Sequence, residues 1–240
     1  MKVRSIIMAL LFVGLASSCY KDTIRVSGEV VRTEVNLSGY TGLRVSNAFN
    51  AHVAFSDTEE KIIVEANSDI QDRIVVKLEG NDLVVRLKRF TSIRGNATLN
   101  VYITTKNIHF FDISGASSIT LDSPLELDTA GHIEISGASH FRGELRASDL
   151  EIDASGASDL DIYGEVGFLD AALSGASNLR EYDLSVDQLD MRLSGASNAF
   201  LTVQEKIDIK ASGASTLNYK GGAEFGRREL TGASEVRKRD

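Results

Sequence analysis

The amino-acid sequence predicts an all-β fold, a right-handed parallel β-helix (β-solenoid) built from coils of about 19 residues. Three observations carry this expectation. A tetrad, Ser-Gly-Ala-Ser, recurs at 114–117, 136–139, 155–158, 174–177, 194–197 and 212–215, and Thr-Gly-Ala-Ser follows at 231–234. The residues on either side alternate apolar and polar, the period of a strand with one buried face. The 240 residues include 20 Gly but only 10 Phe, 6 Tyr, 1 Pro and no Trp, which suits thin layers with many tight turns.

The tetrad glycines are Gly115, Gly137, Gly156, Gly175, Gly195, Gly213 and Gly232, with spacings of 22, 19, 19, 20, 18 and 19. A strand–helix–strand unit needs about 30 residues and does not fit. Up-and-down hairpins would place turns such as Asn-Gly at regular intervals, and none occur. One coil per repeat remains, with equivalent residues stacked about 4.8 Å apart. Right-handed winding is the rule for parallel crossovers.

Before the tetrads, Leu150, Ile152 and Ala154 interleave with Glu151 and Asp153. Leu169, Ala171 and Leu173, then Leu189, Met191 and Leu193, then Ile207, Ile209 and Ala211 repeat the pattern. After the tetrads, Ile119, Phe141, Leu160, Leu179, Ala199 and Leu217 form one apolar column. The tetrad reads as a corner. Glycine supplies a conformation that a Cβ forbids. Alanine is expected to pack where two faces converge, and the serines to stack as hydroxyl ladders that bond corner amides. A nucleophile elbow is the competing reading, but seven copies without a recurring base exclude it; His132 and His140 flank only one tetrad.

The amino terminus reads as a signal peptide over 1–18: Lys2 and Arg4, an apolar run from Ile6 to Leu15, then Ala16-Ser17-Ser18. The apolar run is too short to span a bilayer as a helix. Cys19, the only cysteine, follows, so no intramolecular disulfide can form. Leu15 to Cys19 resembles a bacterial lipobox, although Leu15 lies four positions before the cysteine. Diacylation of Cys19 would give a membrane anchor at about 0.8 kcal/mol per buried CH₂. Residues 19–23 are then a linker. Without 1–18 the chain keeps 24 basic and 34 acidic residues, a balance that excludes nucleic acid as a natural partner.

Residues 24–108 lack the tetrad but are strand-rich, for example Lys61 to Ala66 and Leu83 to Leu87. Glu79-Gly80-Asn81-Asp82 is a turn. Asn67 to Asp72 is a short helix capped by Asn67 or Ser68. This portion is expected to form wider, less regular coils ahead of the regular repeats at 109–240, with a separate small sandwich as the alternative. The closing run Glu235-Val236-Arg237-Lys238-Arg239-Asp240 reads as a charged cap that blocks edge-to-edge growth.

The lipobox, Ser27-Gly28-Glu29-Val30-Val31, Leu37-Ser38-Gly39-Tyr40-Thr41-Gly42-Leu43, Lys61 to Ala66 and the tetrad series together resemble the putative auto-transporter adhesin, head GIN domain, family of Gram-negative lipoproteins. The resemblance covers nearly all of the mature chain. It implies a β-helical fold and an exported location, on either face of the outer membrane, and brings no catalytic residues.

The expected function is a lipid-anchored envelope binding or adhesion module for a glycan or a protein. A structural envelope protein without a ligand and a polysaccharide-acting enzyme are the alternatives. Two outward columns would carry contacts: Ser118, His140, Asp159, Asn178, Asn198 and Thr216; and Thr120, Arg142, Asp161, Arg180, Phe200 and Asn218. Asp159 and Asp161 near Arg142 and Arg180 are the best catalytic cluster, but read as surface ion pairing, so no enzyme and no cofactor are expected. Glu151, Asp170, Asp190 and Asp208 form an acidic column that Arg192 and Lys210 are expected to neutralise at Asp190 and Asp208. That leaves Glu151, Asp153 and Asp170 as a candidate weak divalent-cation site.

Overall fold

The computed structural model describes residues 22–240; the signal segment and Cys19 lie outside the described residues. It is a β-solenoid of stacked coils with one 3₁₀ helix, Ser68–Arg73, where the sequence calls for a short helix. Strands that precede the tetrads stack in parallel, from Phe110–Ile113 and Gly131–Ile135 through His140–Ala154, Asp159–Leu173, Leu184–Leu193 and Asn198–Ala211 to Glu224–Leu230. Residues that follow the tetrads do the same, ending on Thr216–Lys220 and Glu235–Lys238.

The alternation in the sequence becomes the core directly. Ile119, Phe141, Leu160, Leu179, Ala199 and Leu217 are in register and fully buried. Ile152, Ala171, Met191 and Ile209 line up opposite them in the same way. Each leucine or isoleucine so enclosed contributes about 1.5–3 kcal/mol. The long spacing between Gly115 and Gly137 has a local cause. The return after Leu121 carries Pro124, the only proline, and the chain rejoins the stack at Leu125–Leu127 beside Leu145 to Ala147. Proline is tolerated there because it stands outside the ladder.

The corners differ from expectation in two respects. The glycines do adopt positive φ, from +65° at Gly115 to +79° at Gly156. The alanines, however, are exposed rather than packed between faces. What stacks is backbone. The amide of Ala157 donates to the Gly137 carbonyl at 2.7 Å, and Ala176, Ala196, Ala214 and Ala233 repeat the bond at the same distance. The serines do not form inter-coil hydroxyl ladders either. The second serine of the first six tetrads is buried and Ser234 of the last is half-buried; from Ser139 onward its Oγ donates to the carbonyl of the tetrad's own first residue: Ser139 to Ser136 and Ser158 to Ser155 at 2.8 Å, Ser177, Ser197 and Ser215 at 2.9 Å, Ser234 to Thr231 at 2.8 Å. A short polar side chain satisfies its own turn this way without help from a neighbouring coil.

The first tetrad is a variant. Ala116 as well as Gly115 has positive φ, and the Gly115 carbonyl turns away to accept from Ala48 at 3.0 Å. It stacks on a corner that the sequence hides, Ser46-Asn47-Ala48-Phe49. Asn47 and Ala48 have φ of +66° and +63°, and Phe49 fills the place of the buried serine. Asparagine tolerates this left-handed region better than most residues.

The N-terminal portion continues the stack. Gly42–Val45 lies between Phe110–Ile113 and Asp82–Leu87, and Asn50–Phe55 between Ser118–Leu121 and Leu99–Thr105, all parallel. Antiparallel strands then finish this end. Lys61–Asn67 joins Leu99–Thr105 to Val30–Val35, and Ile74–Glu79 pairs with Asp82–Leu87 through the turn at Gly80-Asn81. One hydrophobic core runs from Tyr40 to Ala223. Asp22–Arg25 and Thr91–Arg94 form a separate two-stranded parallel sheet, with Ile24 and Ile93 packed on that core.

Candidate binding faces

On the face after the tetrads, the first outward column is in register throughout; the second is in register from Thr120 through Arg142 and Asp161 to Arg180 and again from Phe200 to Asn218, but Asn218 is buried and accepts from Arg239 instead of facing outward. The first is a chain of polar contacts. Asn198 Nδ2 donates to Asn178 Oδ1 at 3.1 Å, and Asn178 Nδ2 to Asp159 Oδ1 at 2.9 Å. Ser118 Oγ donates to Asn50 Oδ1 at 2.8 Å. In the second column Arg180 crosses to Asp159 at 2.6 Å, and His140 Nε2 lies 3.3 Å from Asp161. The two aspartates are therefore engaged by separate partners and do not converge on one point. At the N-terminal end the face is aromatic: His52 and Tyr102 stack at 5.3 Å. Glu65 there accepts from Asn100 at 2.9 Å, Arg32 at 2.7 Å and Tyr102 at 3.1 Å. Those hydrogen bonds, led by Asn100 and Arg32, hold its carboxyl below the usual range.

On the face before the tetrads, His132, Glu151, Asp170, Asp190 and Asp208 are in register. Neutralisation differs from the expected pairing. Arg192 reaches back to Asp170, at 2.7 and 3.3 Å, and not to Asp190. Asp190 is met by Arg227 at 3.0 Å, Asp208 by Lys206 at 2.7 Å, and Lys210 turns to Glu229 at 3.7 Å. A long side chain reaches a neighbouring coil as easily as its own, so diagonal pairs compete with the ones along a strand. Glu151 and Asp153 face His132, at 3.0 and 3.9 Å. Among the described residues no group of three His, Cys, Asp or Glu is placed to hold a metal ion.

The next column outward reads Arg44, Asp112, Glu134, Asp153, Ala172, Arg192 and Lys210. Burial, and then the neighbouring charge of Glu134, push the Asp112 carboxyl up. Ala172 leaves a gap in this column. Together with the first serines of four tetrads, Ser155, Ser174, Ser194 and Ser212, the gap forms a groove of about 340 Å³ along the corner. Glu134 and Asp153 lie toward one end of it, Arg192 and Lys210 toward the other. The groove thus offers hydroxyls at each coil, a small apolar floor and opposite charges at its two ends.

The sequence of this chain matches the family described as putative auto-transporter adhesin, head GIN domain, over residues 23–223. The chain belongs to that family. Membership points to an exported protein of the cell envelope. Solved structures share its fold. A putative adhesin from Bacteroides fragilis superposes with a TM-score of 0.79 at 15% identity, covering 90% of this chain and 99% of that one. A putative adhesin from Parabacteroides distasonis gives 0.67 at 15%, covering 90% and 100%. A putative lipid binding protein from the same species gives 0.67 at 16%, covering 91% and 100%. No curated protein matches the chain.

Within this adhesin-family fold the seven glycines singled out from the sequence form one line of corners, while Glu151, Asp153 and Asp170 are drawn to His132 and Arg192. The groove escaped sequence reasoning. Its signal was present in the column itself, where Asp153 gives way to Ala172 before Arg192 and Lys210; the missing step was that a small residue between charged ones opens space.

Proposed function

We propose that this chain is a lipid-anchored binding module of the cell envelope, held to the outer membrane through Cys19, whose solenoid captures an extended glycan along the serine corner. The groove at Ala172 carries this reading. Hydroxyls from successive coils, spaced by the strand repeat, match the repeating hydroxyls of a saccharide chain, and the carboxylates and cations at its ends supply directional hydrogen bonds. Among the described residues no helix is long and apolar enough to cross a membrane. The reading includes no catalysis: Asp159 and Asp161, the acids nearest to a catalytic pair, have separate partners, Arg180 and His140.

The test is a glycan array probed with the mature protein and with Ala172→Phe, which fills the groove. Capture of a glycan class by the wild type and its loss in the variant supports the reading. Equal capture by both places the ligand elsewhere. Capture followed by depolymerisation of the bound glycan would indicate an enzyme. A protein ligand is the second reading, favoured by the aromatic end of the opposite face at His52 and Tyr102.

A further inference from the structure

We infer that the N-terminal tip around Phe90 is a membrane-contacting surface that seats the solenoid on an anionic phospholipid bilayer. The inference deepens the anchored reading and rests on acylation of Cys19.

Three observations converge on this tip. The first is charge. Arg86 to Thr98 holds four basic residues, Arg86, Lys88, Arg89 and Arg94, and no acid, in a chain of net charge −8. Arg25 lies beside Arg94 in the two-stranded sheet. Lys88, Arg89, Arg94 and Arg25 are exposed, and among the described residues none has a carboxylate partner. The second is an aromatic ring held outward. Phe90 is 65% exposed, the most exposed of the large hydrophobics among the described residues, and its φ is +64°. That left-handed conformation is uncommon for a bulky residue, and the turn that imposes it, closed by the Thr91 amide donating to the Lys88 carbonyl, keeps the ring outside the core.

The third observation is where the chain comes from. Asp22 lies opposite Thr91, the residue after Phe90. Three peptide steps separate Asp22 from Cys19, a reach of at most ~11 Å. If Cys19 bears acyl chains in the bilayer, Asp22 and the neighbouring Phe90 tip are held within that distance of the headgroups. Clustered Lys and Arg with an exposed aromatic are the side chains that settle at an anionic interface. The far end of the stack is basic as well, but differs. Arg237 pairs with Glu235, Arg239 donates to Asn218, and no large hydrophobic is exposed there.

The chain has no tryptophan, so Phe90→Trp creates a single fluorescent reporter at the tip. Phe168→Trp, at an exposed position in the middle of the stack, is the control. Both are made in the acylated full-length mature protein and reconstituted in phosphatidylethanolamine–phosphatidylglycerol vesicles containing lipids brominated on their acyl chains. The Phe90→Trp reporter should shift to the blue and lose at least half its emission, with Phe168→Trp unchanged. Adding Lys88→Glu and Arg89→Glu should cut the quenching at least twofold. Acylation is checked separately by alkyne fatty-acid labelling. In labelled protein, equal emission from the two reporters overturns the tip while leaving the anchor intact. Absence of label removes the anchor, and the inference falls with it.

Discussion

Replacing Gly175 by alanine tests the stacked corner most sharply. Gly175 has φ +73°, a region that costs an L side chain about 1–2 kcal/mol. An added Cβ would also fall on the carbonyl oxygen of Gly156, with the Gly156 amide nitrogen at 3.1 Å. That carbonyl cannot swing away freely, because it accepts the amide of Ala176 at 2.7 Å. Overpacking of this kind costs about 1–3 kcal/mol, for a total of about 2–5 kcal/mol. In a domain of this size that lowers Tm by about 4–20 °C. Gly39 separates the two causes. Its φ is +77°, yet nothing lies within 4 Å of its Cβ position, so Gly39→Ala bears the backbone cost alone. Thermal and urea unfolding followed by circular dichroism should rank wild type above Gly39→Ala and Gly39→Ala above Gly175→Ala. Equal losses in the two variants would refute the close approach of successive corners.

The buried serines predict a contrast. Ser177→Ala breaks the bond to the Ser174 carbonyl and should cost about 1 kcal/mol in urea unfolding, whereas Ser117→Ala, whose buried Oγ has no partner, should cost nothing or stabilise. Asp112→Asn should raise Tm at pH 7.5, with the gain shrinking toward pH 4. The raised carboxyl favours its proton in the fold, so its destabilising effect appears as pH rises through the unfolded and then the folded value; a lower Tm at pH 7.5 would contradict this. Millimolar calcium should leave the melt of the wild type unmoved, because Asp170 is bound by Arg192 and Glu151 and Asp153 face His132; a rise that Asp170→Asn abolishes would restore the cation site.

The fold was legible because the period of two and the period near 19 are both written in residue identity. Register follows from the glycines alone, and it places Ser118, His140 and Asp159 in one column, as they stand in the structure. The pairing of charges was not legible. Arg192 has carboxylates within reach on its own coil and on the one before it, and the choice between Asp170 and Asp190 is decided by rotamer and packing. The corner at Ser46 to Phe49 was hidden because Asn47 replaces glycine and Phe49 replaces serine, which breaks the pattern in letters while keeping the backbone. The exposure of the alanines is not legible for a related reason: smallness fits an exposed turn as well as a crowded one. Cys19 and the signal segment rest on sequence alone.

Anchoring is the claim on which the functional account depends. Cells expressing wild type or Cys19→Ala are fed an alkyne fatty acid, the protein is captured, and the label is read after coupling to a fluorophore. The account predicts a labelled wild type that fractionates with the outer membrane and an unlabelled Cys19→Ala released into the soluble periplasmic fraction. Equal labelling of the two, or an unlabelled wild type, would contradict it.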